Sequence, residues 1–263
     1  MKKNYDTIKA LNWSSLKEIY VSPRNFLHKH HHPVADKVFF SLGRIIHMEI
    51  LEPEKFADVC TVRPEEFDSW RTKASKEWKK EQIALGKEIM THQESLIVGN
   101  IVINFSLHPD YNILKNTSKE QILEWKDSGV NCKGRLDAVS NDKVIDLKTT
   151  NNLSSFIRRD LFRYLYHGQL AWYLNGAINS GFTSVNSEVY IIACETSPPF
   201  DVAIFRIGDE IIETGRALKD DLLHKWISCK TANIWPGIYP NTVDVEDVPS
   251  WAPGRYIITE EGF

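Results

Sequence analysis

The sequence has few cysteines and no paired cysteine motif. Its four cysteines are scattered, without a CxxC spacing: Cys60, Cys132, Cys194 and Cys229. This pattern excludes a zinc ribbon and the disulfide framework of a small secreted domain, so buried free thiols are the simpler interpretation. Internal repeats and Gly/Ser-rich linkers are also absent, and we predict a single domain over residues 1–263.

Long apolar runs and a charge excess are missing as well. Stretches such as LIVGNIVINF are too short to cross a membrane, and the first residues, MKKNYDTIKALNW, hold no apolar segment typical of a secretion signal. We therefore expect a cytoplasmic protein without membrane contact. Because 32 Lys and Arg stand against 35 Asp and Glu, the net charge is −3. Any contact with nucleic acid must be local.

Hydrophobic residues make up 42% of the chain, which is enough for a substantial core. Helical patterns come first, including FFSLGRIIHMEILEPEKF and two helices between Glu65 and Asn104. Three short strands follow, KEQILEWKD, CKGRLDAVS and KVIDLKTT, and then a long helix, FRYLYHGQLAWYLNGAINSG, that ends at Gly181. Two more strands, SEVYIIACET and FDVAIFRIG, precede a last helix. This order predicts an α/β fold with a mixed central sheet flanked by helices.

An acid and a lysine interrupt the apolar strand VIDLKTT. Side chains two apart on a strand share a face, so Asp146 and Lys148 stand together while Ile145 and Leu147 point into the core. The short turn after GRLD brings Asp137 close to Asp146. Two close carboxylates repel each other unless a cation lies between them, and such hard oxygen ligands suit Mg²⁺ or Mn²⁺.

Two further residues extend this predicted centre. Glu120, at the start of the first strand, can supply a third oxygen. Lysine is a poor ligand for a hard cation, so Lys148 is better suited to stabilise negative charge on a phosphate oxygen. The alternative is structural: Asp137 is then a turn residue, and Asp146 with Lys148 is an exposed strand pair.

The helix after this strand carries polar and aromatic residues. Tyr166, Gln169 and Tyr173 share one of its faces, and His167 lies beside them. The alternative interpretation makes the two tyrosines core residues with Gln169 at the rim. His47 lies in an apolar helical segment, where a buried structural histidine is the simpler interpretation from the residues alone.

Two other segments are rich in basic and aromatic residues. HKHHH, residues 28–32, has adjacent histidines that do not form a closed zinc shell, so we interpret it as a solvated or phosphate-contacting segment. SWRTKASKEWKK combines Arg71 and Lys73 with Trp70 and Trp78, which is typical of an arm that contacts a nucleic-acid backbone. A solvated amphipathic helix with its tryptophans inward is an equal alternative.

Together these segments resemble the PD-(D/E)xK nuclease superfamily, and within it the RecE (exonuclease VIII) and RecB-like exonucleases of bacteria and phages. SPRNFLHK, SLGRIIHMEILEPEKF, GVNCKGRLDAV, VIDLKTT, YLYHGQLAWYLNG and WPGIYP resemble successive family blocks in the family's order, covering roughly residues 11–240. Leu136 replaces the proline that names the superfamily, and the scattered cysteines do not match the branch with an iron–sulfur cluster.

The resemblance implies a role for individual residues. Asp137 and Asp146 match the metal-binding aspartates, and Lys148 matches the catalytic lysine. His47 matches a histidine at the metal site, which reverses the interpretation from the residues alone. The remaining implied members are Glu120 and the Leu147 carbonyl as metal ligands, and Gln169 and Tyr173 as the QxxxY motif that contacts DNA or orients the lysine. Apart from the resemblance, the residues themselves suggest Arg71, Lys73, Tyr166 and His167 as further DNA-binding residues.

The resemblance also implies an activity and an architecture. We expect a nuclease domain with a restriction-endonuclease-like core, in which residues 1–115 form a helical N-terminal part, 116–210 the catalytic sheet and QxxxY helix, and 211–263 the last helix and tail. The expected activity is a Mg²⁺-dependent exonuclease, with Mn²⁺ as a substitute, that degrades one strand of linear double-stranded DNA for recombination in a bacterial cell. Expected partners are DNA ends, a single-strand annealing protein and further copies in a ring.

Several alternatives stay open at this stage. An endonuclease or flap-type nuclease can use the same scaffold, and a metal-dependent hydrolase of RNA or nucleotides needs the same groups. A non-catalytic protein that binds DNA ends is a further alternative. The unlike charges of Asp146 and Lys148 argue against it, because a protein without an active site has no physical reason to keep them on an apolar strand.

Overall fold

A five-stranded mixed sheet forms the centre of the computed structural model, which describes residues 4–32, 42–67, 69–245, 247 and 249–252. Its strands are β3 (Ser118–Asp127), β4 (Val130–Val139), β5 (Lys143–Thr150), β6 (Glu188–Glu195) and β7 (Val202–Ile207). Two short strands earlier in the chain, β1 (Cys60–Val62) and β2 (Glu88–Met90), pair separately. The central order is β3-β4-β5-β6-β7, with β5 and β6 parallel and the other neighbours antiparallel. The predicted α/β fold with a mixed sheet is confirmed.

Helices cover the sheet and form most of the N-terminal part. They are α1 (Trp13–Leu16), α2 (Pro23–His31), α3 (Leu42–Leu51), α4 (Pro53–Val59), α5 (Lys73–Ala84), α6 (His92–Leu107), α7 (Leu153–Ser155), α8 (Leu161–Arg163), α9 (Tyr166–Asn179) and α10 (Asp209–Ala232). A π-helical turn, Phe156–Asp160, lies between α7 and α8. Within the described ranges, no helix combines the length and the apolar character needed to cross a bilayer.

Strand β5 separates two hydrophobic clusters. Ile145 and Leu147 are buried in one cluster with residues of α3 and α6. Val144, on the other side of the strand, belongs to a second cluster that contains Trp172 of α9 and Leu222 of α10. Because both faces of β5 are covered, Asp146 and Lys148 are enclosed by the fold and not displayed on an open sheet.

Local sequence chemistry explains several helix ends. The Asn12 side chain accepts from the backbone N–H of the third residue of α1, and Ser22 caps α2, whose first residue is Pro23. Gly181 has a φ of +71° and follows α9 as predicted. Its N–H and that of Phe182 donate to carbonyls of the last turn, which completes a Schellman motif.

Three features differ from the sequence predictions. The long predicted helix after β5 is broken, because Leu165 adopts a left-handed conformation with φ 58° and separates α8 from α9. The short parallel pair of β1 and β2 was not predicted, since three-residue strands carry almost no periodic signal. Pro53 does end α3, but α4 begins at that proline. The start of the predicted helix, residues 39–41, lies outside the described residues.

Candidate active site

Three acidic side chains lie in one row across β3, β4 and β5. Glu120 and Asp137 lie at the break in the β3–β4 ladder, between the Lys119–Ala138 and Gln121–Leu136 pairs. Asp137 in turn stands next to Asp146, where the pairing of β4 with β5 ends after Ala138 and Ile145. Glu120 has a φ of 49°, so the regular ladder is interrupted at this residue. The row therefore lies where the backbone pairing of β4 is interrupted, both with β3 and with β5.

Asp137 connects the opened strands to α3. Its Oδ2 atom accepts a hydrogen bond of 2.7 Å from the Leu147 N–H, and the same oxygen lies 3.7 Å from Nδ1 of His47. One nitrogen of His47 and one oxygen each of Glu120 and Asp137 all lie within 4.8 Å of one another. The structure thus brings together three of the residues that the sequence suggested as metal ligands.

Burial tunes the protonation of this group. It lowers the pKa of His47 to about 4, with a further decrease from the ammonium of Lys148, so the imidazole is neutral at pH 7 and has a lone pair to donate. Burial also raises the pKa of Asp137 and of Glu120, although Arg135, whose Nε lies 3.0 Å from the Glu120 carboxylate, opposes the increase for Glu120.

This donor set fits a divalent cation. An imidazole nitrogen with two carboxylate oxygens is a set that Mn²⁺ accepts readily, and carboxylates are also the usual protein ligands of Mg²⁺. The raised pKa values of Asp137 and Glu120 show that ionising them without a cation is costly. A bound cation would relieve this cost.

Asp146 and Lys148 form a buried ion pair beside the group. The ammonium contacts Oδ2 of Asp146, whose side chain is 2% exposed. Burial, with a contribution from Asp137, raises the pKa of Asp146 to about 6 even though Lys148 opposes the shift. Burial alone would lower the pKa of Lys148, but the two carboxylates outweigh it and the pKa is raised. The lysine is therefore a charged ammonium and not a general base.

The structure divides the predicted ligands into two sets. The Asp146 carboxylate is not part of the group formed by His47, Glu120 and Asp137, because it contacts Lys148. Leu147 lies at the centre through its backbone, where its N–H binds Asp137 and its main chain also hydrogen-bonds the ring of His47.

Helix α9 closes the site on the opposite side. Nζ of Lys148 lies 4.9 Å from the centre of the Tyr166 ring, a cation–π contact that positions the ammonium. One turn further, Gln169 Nε2 donates to the Tyr173 hydroxyl at 3.0 Å. The Tyr173 ring packs on β4 at Gly134, where a Cβ atom would lie 3.3 Å from the ring. The glycine permits this close approach.

His167 does not belong to the site. It is 6% exposed, its Nδ1 lies 3.3 Å from the Leu161 carbonyl, and its ring contacts Phe162 at 5.2 Å. The structure therefore gives no support to the predicted DNA-binding role of His167, because a residue one position from Tyr166 points about 100° away around the helix.

The two other sequence segments lie elsewhere. Arg71 and Lys73 are exposed at the start of α5, which packs on β2. The rings of Trp70 and Trp78 stack on each other at 6.3 Å, with Lys79 over Trp70 at 4.7 Å. In HKHHH, the first and last histidine rings stack at 4.7 Å, and no metal-ligating group forms there among the described residues.

Sequence reasoning missed four residues around the site. Arg135 pairs with Glu120, and its place two residues before Asp137 on β4 was a usable signal. Lys133 is buried and donates from Nζ to the carbonyls of Tyr5 (2.9 Å) and Ile8 (3.0 Å), which attaches the N-terminal segment to β4. Tyr5 lies under both cations, 4.2 Å from Nζ of Lys133 and 5.7 Å from the Arg135 guanidinium.

Lys17 is the fourth residue that was missed. Burial lowers its pKa, and repulsion from Lys148 lowers it further, although Glu18 opposes the shift. A second cation, from the N-terminal helices, thus lies within electrostatic range of Lys148. Only the docking of these helices in three dimensions reveals it.

Comparison with known proteins agrees with this geometry. Residues 12–243 match the family described as PDDEXK-like domain of unknown function (DUF3799), and the chain belongs to this family. The membership, with the resemblance to PD-(D/E)xK nucleases, supports a nuclease.

One solved structure shows the same fold. A protein from Eubacterium rectale, provisionally named an exonuclease, aligns over 95% of this chain and 97% of its own at 11% identity, with a TM-score of 0.63. A second structure, SSO0001, aligns over 79% of this chain and 84% of its own at 14% identity, but its TM-score of 0.29 is too low to establish a shared fold. No curated protein matches the sequence significantly.

Proposed function

We propose that this protein is a metal-dependent deoxyribonuclease that removes nucleotides from one strand at the ends of linear double-stranded DNA. One observation carries the proposal: a neutral histidine and two carboxylates converge beside a buried aspartate–lysine pair. The family membership and the exonuclease name of the structural neighbour support it. A product strand for recombination, a ring of several copies and an annealing protein as partner are further parts of the proposal.

Each group has a role in this reaction. His47, Glu120 and Asp137 would hold a Mg²⁺ or Mn²⁺ ion, with Asp146 as a further carboxylate that can leave its contact with Lys148. A bound cation supplies Lewis acidity and lowers the pKa of water in its shell. The ammonium of Lys148 stabilises the negative charge that develops on the phosphate oxygens.

Helix α9 supplies the positioning groups. The Tyr166 ring keeps Lys148 directed at the carboxylates. The hydrogen bond between Gln169 and Tyr173 fixes the amide at the wall of the site, so that its remaining polar atoms face the substrate backbone.

The test is a time course on linear duplex labelled at the 5′ or the 3′ end, beside closed circular duplex and RNA, with Mg²⁺ or EDTA. Lys148→Ala is the inactive variant. Lys143→Ala, on the same strand but paired with Asp142 away from the carboxylate row, is the matched control. We expect loss of linear DNA alone, dependent on Mg²⁺ and on Lys148.

Other outcomes are informative. Cutting of the circle would replace the exonuclease by an endonuclease. Degradation of RNA alone would identify RNA, and not DNA, as the substrate. DNA binding without any cutting would identify a non-catalytic protein, and full activity of Lys148→Ala would show that the site is elsewhere.

A further inference from the structure

The segment between β5 and α9 is anchored directly beside the catalytic lysine. Thr150, two residues after Lys148, donates from Oγ1 to Oδ2 of the buried Asp160 at 3.5 Å. The other oxygen of Asp160 accepts from Nε of Arg159 at 2.9 Å. The π-helical turn and the left-handed Leu165 lie in this segment. Irregular backbone of this kind is frequent next to functional sites.

An aromatic row leads outward from the lysine along this segment. The Tyr166 ring, which faces Nζ of Lys148, is supported from behind by Phe156, whose ring stacks on it at 6.1 Å. On its outer side Tyr166 meets Tyr164 at 5.7 Å between ring centres. Tyr164 is 50% exposed. Because Leu165 reverses the chain direction between them, two tyrosines close in sequence present neighbouring rings.

The same segment is basic. Arg158, Arg159 and Arg163 are all exposed, whereas Asp160 is the single acid between residues 153 and 166 and is already paired with Arg159. Arg159 also lies within electrostatic range of Tyr164. An exposed aromatic ring among cations is the combination that binds single-stranded nucleic acid, through base stacking and phosphate contacts.

We propose that Tyr164, with Arg159, binds an unpaired nucleotide next to the scissile phosphate, by stacking on its base and contacting its phosphate. This inference rests on the proposed nuclease function. It identifies single-stranded DNA at the end of a duplex as the occupant, because a paired base stacks on its neighbours and offers no free face to a side chain. Tyr166 contacts both Tyr164 and Lys148, so a strand bound at Tyr164 lies next to the residues that reach the carboxylate row.

The experiment measures binding in the Lys148→Ala protein, which does not consume the DNA. Fluorescence anisotropy gives the Kd for a single-stranded oligonucleotide and for a blunt duplex, each with Mg²⁺, and 2-aminopurine at the strand end reports stacking. Tyr164→Ala is compared with Tyr164→Phe. Tyr111→Ala, at a tyrosine that is 47% exposed just before β3, is the matched control.

We expect Tyr164→Ala to weaken single-strand binding by at least about fivefold and to remove the 2-aminopurine quenching. Tyr164→Phe keeps the ring and should bind within about twofold of the parent, as should Tyr111→Ala. Arg159→Gln should weaken binding and reduce its salt dependence. An unchanged Kd for Tyr164→Ala, or an equal loss for duplex and single strand, would overturn the proposal.

The two proposals fail separately. If the unmodified protein cuts DNA but Tyr164→Ala binds the single strand normally, the nuclease function stands and the stacking site falls. If no DNA is cut but Tyr164→Ala loses single-strand binding, the stacking site stands and the nuclease function falls.

Discussion

Among the residues that the structure describes, Lys148 and Lys219 both lie buried beside aspartates, and only around Lys219 do the side chains satisfy one another. Lys219 of α10 is 4% exposed, donates to Asp127 and forms an ion pair with Asp220, each at 2.6 Å. Asn175 of α9 donates to the same oxygen of Asp127 at 2.8 Å. Four side chains from α9, α10 and the end of β3 thus satisfy one another, and the cluster joins these elements.

The cluster around Lys148 is arranged differently. Its ammonium contacts Asp146 and the face of Tyr166, while Asp137 is held by a backbone N–H, and Glu120 and His47 lie beside them. Within the described part of the chain, the negative charges of Asp137, Asp146 and Glu120 thus have only Lys148 and the half-exposed Arg135 as cations in contact with them. A buried charge left partly uncompensated by the protein is costly. The difference fits a stabilising role for the Lys219 cluster and supports the proposal that the Lys148 cluster binds a cation and a phosphate.

The largest expected effect separates the two lysines by activity. Lys148→Ala should lower the cleavage rate by about 10²–10³-fold, because it removes the charge opposite the developing phosphate charge. Because Asp146 also loses its cation, the melting temperature should fall, but circular dichroism and DNA binding measured well below it should stay close to those of the unmodified protein. Single-turnover cleavage of linear duplex gives the rate, and a rate within about threefold of the unmodified protein would remove Lys148 from the mechanism.

The second-largest expected effect is a loss of stability when Lys219 is replaced. Lys219→Met should lower the free energy of unfolding by about 3–5 kcal/mol, because Asp127 stays buried without its cation. The melting temperature should fall by roughly 6–20 °C. Cleavage measured well below the new melting temperature should change by less than about threefold. A stable Lys219→Met protein without activity would contradict the division of roles.

The sequence carries enough information for the regular parts of the site. Asp146 and Lys148 share a face because strand side chains alternate with a period of two, and the structure has them in contact. Gly181 was predictable because a helix often ends in a left-handed residue that glycine adopts without strain. These features depend on one segment of backbone and its own side chains.

The irregular parts depend on contacts that a local pattern does not contain. Leu165 and Glu120 adopt positive φ angles that their residue types do not favour, so packing and not propensity holds them there. Lys133 was missed as the anchor of the N-terminal segment because its partners, near Tyr5, are more than a hundred residues away. His47 became a site candidate only through the family resemblance, since one histidine on an apolar helix carries no signal alone.

The third prediction uses pH to distinguish the clusters. Burial raises the pKa of Asp146 to about 6, so this carboxylate is ionised at pH 7.5 and protonated below about pH 6. A proton then competes with the cation, so the gain in thermal stability from Mn²⁺ should be full well above pH 6 and should decline progressively as the pH falls through about 6. Melting curves with and without Mn²⁺ between pH 5 and pH 8 test this.

Two variants control this measurement. Asp137→Asn should remove the stabilisation by Mn²⁺ at every pH, because it deletes a proposed ligand. Lys219→Met should keep the same pH dependence at its lower melting temperature, because the Lys219 cluster has no part in cation binding. A gain from Mn²⁺ that persists in Asp137→Asn would place the cation elsewhere.

The smallest expected effect concerns the hydrogen bond between Gln169 and Tyr173. Tyr173→Phe removes the hydroxyl that accepts from Gln169 but keeps the ring that packs on Gly134, so the free energy of unfolding should change by only about 1 kcal/mol. If the amide positions the substrate backbone, the cleavage rate should fall by about tenfold with little change in Mn²⁺ stabilisation. Gln169→Leu should have an equal effect, and the double variant should be no worse than either single one, because both changes remove the same contact. Additive losses would show that the two residues act independently, each with its own contact to the substrate.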